Sequence, residues 1–248
     1  MAARSRTRGE LPAPAFPRER RGAPASAGPP EAAPDAPTTG VAVHPVVPRH
    51  EAGAGSCGPG MSRRGEGVED GARPVGPAPS ERLAWVAGVV AARPGERVVE
   101  VGCGHGVLVS LLVAAGAEVV AVDRSATMTA AAARRNRAAV DAGTVRLLTA
   151  PLVAADLPPG AVDVVVAVDV RAFWTPPAPE WDVVQRVLAP GGRAVVAFSV
   201  MRPGADRSTT DAVARAAAPH GFVVTAVHRG ATAPTPAAAV VLHRAGMR

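Results

Sequence analysis

The sequence contains no lysine, no tyrosine and no isoleucine, and it has only two cysteines, Cys57 and Cys103. Without lysine, the chain cannot form the Gly-Lys-Ser/Thr loop that P-loop enzymes use for phosphate. The two cysteines make a disulfide framework implausible and favour a reducing, cytoplasmic setting. The six scattered histidines lack the spacing of metal ligands, so we predict no metal site. No run of about 20 apolar residues is free of charges and helix breakers, so no membrane span is expected.

The charge balance is basic but carries little functional information. All 27 basic residues are arginines, and the formal net charge is +6. Arginine, alanine, glycine and proline replace their alternatives throughout the chain, which is typical of a GC-rich coding sequence. A positive surface attracts anions, but here it is only weak support for nucleic-acid binding.

The N-terminal part of the chain differs from the rest. Residues 1–75 are rich in proline, glycine and arginine and hold no lasting helical or strand period, which predicts a disordered tail. The alternative is that translation starts at Met61 and that the upstream residues are not made. Residues 76–248 are predicted to fold as one domain.

Short apolar strands alternate with helices in the second part of the chain. The predicted strands are 97–101, 118–122, 145–148, 162–168, 193–198, 222–227 and 238–243. The predicted helices cover about 81–92, 107–115, 125–141, 179–188 and 208–218. Valine-rich strands that alternate with helices are typical of a sheet that is buried on both faces. We therefore predict an α/β fold, a doubly wound and mostly parallel sheet of seven strands with helices on both faces.

The most informative stretch joins the first strand to the next helix. In Gly102-Cys103-Gly104-His105-Gly106, glycine occupies every second position, and Asp123 ends the following strand. Glycines let the backbone approach a ligand, and an acid about 20 residues later accepts hydrogen bonds from ribose hydroxyls. The dinucleotide fingerprint requires its third glycine where Val107 stands, so a pyrophosphate loop is not favoured. The alternative is that these glycines bind no ligand and only allow the positive φ of a strand-to-helix turn.

Three motifs, in this order along the chain, resemble those of class I S-adenosylmethionine-dependent methyltransferases. They are Glu100-Val101-Gly102-Cys103-Gly104-His105-Gly106, Asp123-Arg124-Ser125-Ala126-Thr127-Met128 and Leu188-Ala189-Pro190-Gly191-Gly192-Arg193. The resemblance covers about residues 80–243. It implies a Rossmann-like domain with an antiparallel seventh strand, S-adenosylmethionine as cofactor, and methyl transfer as the reaction.

The first motif implies contacts with the methionine end of the cofactor. By this resemblance, Gly102, Gly104 and Gly106 border that end, and Glu100 orients the ammonium group directly or through water. The structural alternative for Glu100 is an acid at a strand end that caps a nearby amide.

The second motif implies contacts with the nucleoside. By the same resemblance, Asp123 takes the ribose hydroxyls, and Arg124 and Met128 flank the adenine. The alternatives are a helix cap for Asp123 and plain core packing for Met128. One departure concerns Ala150, which stands where the family often has an acid for the adenine amino group.

The loop after the fourth predicted strand holds the candidate acceptor residues, because ligands of open α/β sheets bind beyond the carboxyl ends of the strands. Asp169 is the candidate to take a proton from the acceptor or to hold its amine, and Arg171 is the candidate to hold an anionic group. Phe173 and Trp174 are candidates for the pocket wall. Alternatively, Asp169 caps the loop and Trp174 anchors the next helix. His105 is a second candidate base, with a side chain that points outward as its alternative.

The predicted function is methyl transfer to a small-molecule acceptor. The domain is compact, shows no RNA-binding appendage and has only 3% aromatic residues for base stacking. An RNA or protein methyltransferase that uses the arginine-rich surface is one alternative. A non-catalytic domain that binds the cofactor or a partner is the other.

Overall fold

A computed structural model describes residues 80–246, so the predicted tail at 1–75 lies outside the described residues. The strands are β1 (Arg97–Val101), β2 (Glu118–Asp123), β3 (Val145–Thr149), β4 (Val162–Val168), β5 (Leu188–Ser199), β6 (Phe222–Gly230) and β7 (Ala237–Arg244). The α-helices are α1 (Glu81–Val90), α2 (Val107–Ala114), α3 (Ala126–Arg135), α4 (Arg137–Asp141), α5 (Glu180–Val187) and α6 (Ala205–Ala217). No helix within residues 80–246 is long and apolar enough to cross a membrane.

The seven strands form one sheet in the order β3-β2-β1-β4-β5-β7-β6. Strands β1 to β5 pair in parallel, whereas β7 runs antiparallel to both β5 and β6. The predicted doubly wound sheet with an antiparallel last strand is therefore confirmed. The strand order reverses between β1 and β4, and such a switch point opens a crevice beyond the carboxyl ends of the strands.

Alternate side chains of the valine-rich strands fill two core layers, one on each face of the sheet. In β1, Val99 belongs to the layer that contains Trp181 of α5, whereas Val98 belongs to the layer that contains Leu108 of α2. Trp181 is fully buried, and its Nε1 donates to the carbonyl of Phe173 at 3.1 Å. These contacts fix α2 and α5 on opposite faces, with their N-termini at the edge where the parallel strands end.

The predicted helix at 125–141 is divided in two at Asn136. The buried Asn136 amide donates to the carbonyls of Gly106 and Ala132, both at 3.0 Å, and accepts from the Ser110 hydroxyl at 2.7 Å. These bonds satisfy the buried amide and tie the helix to the glycine turn. The break therefore arises from a tertiary contact that the helical period of the sequence does not reveal.

Strand β5 is longer than the predicted strand at 193–198. Val162 of β4 pairs with Leu188, and Val164 pairs with Arg193, so Pro190-Gly191-Gly192 forms a bulge within the strand. The sequence predicts a turn before the strand at this point, and the structure places the same residues inside the ladder.

An ion pair near the amino ends of the parallel strands, between Glu96 and Arg193, gives a prediction about stability. Arg193 donates to both carboxylate oxygens of Glu96 at 2.9 and 3.0 Å, and hydrogen bonding with Arg193 is the main cause that lowers the pKa of Glu96. We expect Glu96→Gln to reduce the free energy of unfolding by about 1.5–3 kcal/mol near neutral pH. A lowered pKa stabilises the fold above the unfolded pKa and loses that effect as pH falls through the folded pKa. The difference between wild type and variant in urea unfolding should therefore shrink below pH 4.5, and a constant difference would contradict the ion pair's role.

Candidate active site

A cavity of about 520 Å³ lies at the switch point of the sheet. Its walls come from the ends of β1, β2 and β4, from the loops that follow β1, β2, β3 and β4, and from the first residue of α5. The lining residues are Val101, Gly102, Val122, Asp123, Arg124, Ala150, Pro151, Leu152, Val168, Asp169, Val170, Arg171, Ala172 and Glu180. This volume is within the range of small-molecule sites, about 300–1,000 Å³.

The glycine turn and the acid at the end of β2 are in direct contact. The Gly104 N–H donates to Asp123 Oδ2 at 3.0 Å, and the Ser125 N–H donates to Asp123 Oδ1 at 2.9 Å. A carboxylate offers about four acceptor positions, so each oxygen can still accept another hydrogen bond. Asp123 is half-buried and lines the cavity, which leaves it accessible to a ligand.

The three positions of the turn differ in why they hold glycine. All three have positive φ, at 72°, 51° and 72° for Gly102, Gly104 and Gly106. A Cβ at Gly102 would lie 2.7 Å from Val170 Cγ2, and one at Gly106 would lie 2.8 Å from Ala132 Cβ. A Cβ at Gly104 would meet no atom of residues 80–246 within 4 Å. Packing therefore requires the outer two glycines, whereas Gly104 leaves open space above its backbone.

Glu100 is a buried acid beneath this turn. It is 4% exposed, and its Oε2 has no hydrogen-bond partner within the described residues. The pKa of Glu100 is raised to about 8, mainly by burial and also by the charge of Asp123, while a hydrogen bond from the Val109 backbone acts in the opposite direction. The carboxyl therefore holds its proton at neutral pH. A cationic ligand group beside it would favour the ionised form.

The raised pKa of Glu100 predicts a pH-dependent gain in stability for Glu100→Gln. Between the usual pKa of 4.5 and about 8, the folded state keeps the proton that the unfolded chain releases, so wild-type stability falls as pH rises. The glutamine variant has no such loss. Its advantage in the free energy of unfolding should grow by up to about 1.4 kcal/mol per pH unit in this window and then level off. Urea unfolding at several pH values tests this, and a difference independent of pH would contradict it.

Asp169 lies at the cavity rim with its carboxylate already engaged. Its Oδ1 accepts from the Ser199 N–H at 2.7 Å, and its Oδ2 accepts from the Ser199 hydroxyl and from the Arg82 guanidinium. Its backbone is in the left-handed region, with φ of 56°. These bonds join the end of β4 to β5 and α1, which agrees with the alternative that Asp169 anchors the loop.

The two rings of this loop lie away from the cavity, so the structure corrects the expectation that they wall it. Phe173 is fully buried and packs edge-on against Trp181 at 5.3 Å, and Trp174 is half-buried against Phe198 at 5.8 Å. The short 3-10 turn over Arg171–Phe173 leaves Arg171 exposed at the cavity and directs Phe173 inward. Burial of a large ring in the core is the more favourable arrangement.

Five other sequence candidates also lie outside the cavity lining: Glu100, Gly104 and Gly106 of the first motif, and His105 and Met128. His105 is exposed, and its carbonyl accepts from Arg135 Nε at 3.0 Å. Met128 is half-buried in the first turn of α3, where its N–H donates to the Ser125 hydroxyl at 3.4 Å. Of the predicted site residues, the structure brings five to the cavity: Gly102, Asp123, Arg124, Asp169 and Arg171.

Sequence reasoning missed Glu180. This residue begins α5 and lines the cavity, and its buried Oε2 has no hydrogen-bond partner among residues 80–246. An acid in the first turn of a helix is an ordinary feature, because it complements the helix dipole. The sequence therefore gave no signal that distinguishes this glutamate from a capping acid. Within residues 80–246, no group of three or more metal-binding side chains comes together.

One family model matches part of the chain. Residues 99–196 match the family model described as methyltransferase domain. No curated protein sequence matches the chain.

Solved structures resemble the chain in fold at low sequence identity. Geranyl diphosphate C-methyltransferase from Streptomyces coelicolor A3(2), with Mg²⁺, geranyl diphosphate and S-adenosyl-L-homocysteine, has a TM-score of 0.52 at 16% identity, covering 65% of this chain and 77% of that one. The [4+2]-cyclase SpnF has a TM-score of 0.55 at 16% identity, covering 66% and 81%. A SAM-dependent methyltransferase from Aquifex aeolicus has a TM-score of 0.53 at 18% identity, covering 64% and 88%.

Proposed function

We propose that this chain is a class I S-adenosylmethionine-dependent methyltransferase and that it methylates a small molecule held in the 520 Å³ cavity. The observation that carries the proposal is the hydrogen bond from the Gly104 N–H to Asp123. It joins the glycine turn to the acid of β2 at the switch point of the sheet, so that one nucleoside ligand can touch both. When bound, S-adenosylmethionine supplies a methyl group on a positively charged sulfur.

The described residues fit this cofactor. The unpaired Oε2 of Glu100 offers a partner for its ammonium group, and the open space above Gly104 leaves room for its methionine end. Asp123 retains acceptor capacity for the two ribose hydroxyls. Arg124 lines the cavity next to Asp123 and, with Met128, would flank the adenine. Glu100 is thereby assigned to the methionine part of the cofactor, and Asp123 is assigned to the nucleoside part.

The acceptor side of the cavity supports a small, partly anionic substrate. Arg171 is exposed and lines the cavity, and no hydrogen bond or ion pair of its guanidinium is formed within residues 80–246. A free guanidinium in a cavity is suited to bind a carboxylate or phosphate of the substrate. The S. coelicolor relative holds geranyl diphosphate, an anionic small molecule.

We also infer a cytoplasmic location. Cys103 is a free, buried thiol within the cofactor turn, and burial, together with the charges of Glu100 and Asp123, raises its pKa to about 12. An unpaired thiol at this position is in keeping with a reducing compartment. Fractionation of cells that produce the full chain tests the location.

Calorimetry and turnover together test the function. S-adenosylhomocysteine should bind near pH 7 with release of a proton, because Glu100 is protonated in the free protein and ionises against the ligand ammonium. Glu100→Gln should bind more weakly and without the proton release, which is measured in buffers of different ionisation enthalpy. Formation of S-adenosylhomocysteine should then require a small-molecule acceptor. Absence of binding at millimolar ligand would exclude the function, and turnover with bulk RNA alone would exclude the acceptor class.

A further inference from the structure

Three carboxylates line the cavity, and two of them accept hydrogen bonds from other groups of the protein. Asp123 is held by the Gly104 and Ser125 amides, and Asp169 is held by Ser199 and Arg82. Glu180 is different: the residue is half-buried, and its buried Oε2 has no hydrogen-bond partner within the described residues. A buried carboxyl oxygen without a partner is costly, so its partner should come from a ligand.

The surroundings of Glu180 hold it at this place. The next residue, Trp181, is fully buried and bonded to the Phe173 carbonyl at 3.1 Å, so α5 cannot turn to move the acid out of the cavity wall without losing a core contact. Within residues 80–246, no arginine or histidine forms an ion pair with Glu180, although Arg171 lines the same cavity. The glutamate is therefore a fixed and unused acceptor in the cavity wall.

We propose that Glu180 binds the methyl acceptor and that this acceptor is a small amine; the proposal rests on the proposed methyltransferase function. A protonated nitrogen suits the unpaired oxygen best, since it supplies both a hydrogen bond and the opposite charge, at about 2.7–2.9 Å. Before methyl transfer, the ammonium releases one proton to water, and the nitrogen keeps the electron pair of that N–H bond. The Glu180 carboxylate positions the nitrogen and is not required to take up the proton. With Arg171 on the same cavity, the preferred acceptor carries an amine and an anionic group.

The test uses a pair of probes that differ at one group, benzylammonium and benzyl alcohol. Both are titrated into the full chain saturated with S-adenosylhomocysteine, for wild type, Glu180→Gln and Asp182→Asn. Asp182 is the matched control, because it lies on the same helix, loses the same charge, has a side chain that is 71% exposed and does not line the cavity. Wild type and Asp182→Asn should bind benzylammonium at least tenfold more tightly than benzyl alcohol. In Glu180→Gln the preference should fall below twofold.

A second variant and a cofactor titration separate the ways in which the proposal can fail. Glu180→Asp keeps the charge and should therefore keep part of the preference for benzylammonium over benzyl alcohol. A purely structural role of Glu180 would not produce this result. Equal binding of the two probes to wild type would overturn the proposal, and so would a preference that survives in Glu180→Gln. A loss of S-adenosylhomocysteine affinity in Glu180→Gln would assign the residue to the cofactor and also overturn it. Failure of wild type to bind S-adenosylhomocysteine would instead overturn the proposed function itself.

Discussion

Asp123→Ala is expected to raise the Kd for S-adenosylhomocysteine by about 10- to 150-fold, equivalent to about 1.5–3 kcal/mol. The reason is the loss of charge-assisted hydrogen bonds to the ribose hydroxyls, which Asp123 is placed to accept at the cavity rim. The same carboxylate also holds the Gly104 and Ser125 amides. The variant should therefore be less stable as well, and affinity must be measured at a temperature where it remains folded.

A comparison of ligands separates the ribose contact from the structural contact. Wild type should bind adenosine more tightly than 2′-deoxyadenosine, and Asp123→Ala should bind the two equally. Asp156→Asn is the matched control, since Asp156 is exposed, loses the same charge and does not line the cavity. An unchanged Kd in Asp123→Ala would refute the ribose assignment. A ribose preference that persists in the variant would refute it too.

Much of the fold could be predicted because its signals are local. The valine runs of β1, β2 and β4 and the glycines that follow helices fix where strands and helices begin and end. Motif residues at the glycine turn were also predictable, since positive φ and a close approach restrict Gly102 and Gly106 to glycine. Asp123 was predictable because its position at the end of a strand places it beside that turn.

What the sequence did not reveal depends on contacts between distant segments. Asn136 interrupts a helix because it bonds to Gly106, 30 residues away, and Asp169 is engaged by Arg82, 87 residues away. Phe173 faces the core because Trp181 offers it a ring to pack against. Glu180 is distinguished from a capping acid by its place in the cavity wall and by an Oε2 that has no partner in the described part of the chain. None of these facts has a signature in local residue patterns.

The largest loss of stability is expected for Gly106→Ala. An alanine at φ of 72° costs about 1–2 kcal/mol, and overpacking typically costs a further 1–3 kcal/mol. Here the new Cβ would lie 2.9 Å from Ala132 Cα, a backbone atom of α3 that cannot rotate away. We expect a loss of about 2–5 kcal/mol in the free energy of unfolding, measured by urea denaturation.

Gly104→Ala is the matched variant two residues away, with the opposite expected pattern. Its Cβ would enter open space, so only the positive φ of 51° opposes it, at about 1–2 kcal/mol. That open space is where the proposed cofactor would lie, so this variant should fold and lose affinity for S-adenosylhomocysteine. If Gly104→Ala bound the ligand as wild type does, the space above Gly104 would not be part of the cofactor site. If Gly106→Ala were no less stable than Gly104→Ala, the close packing of the turn against α3 would be refuted.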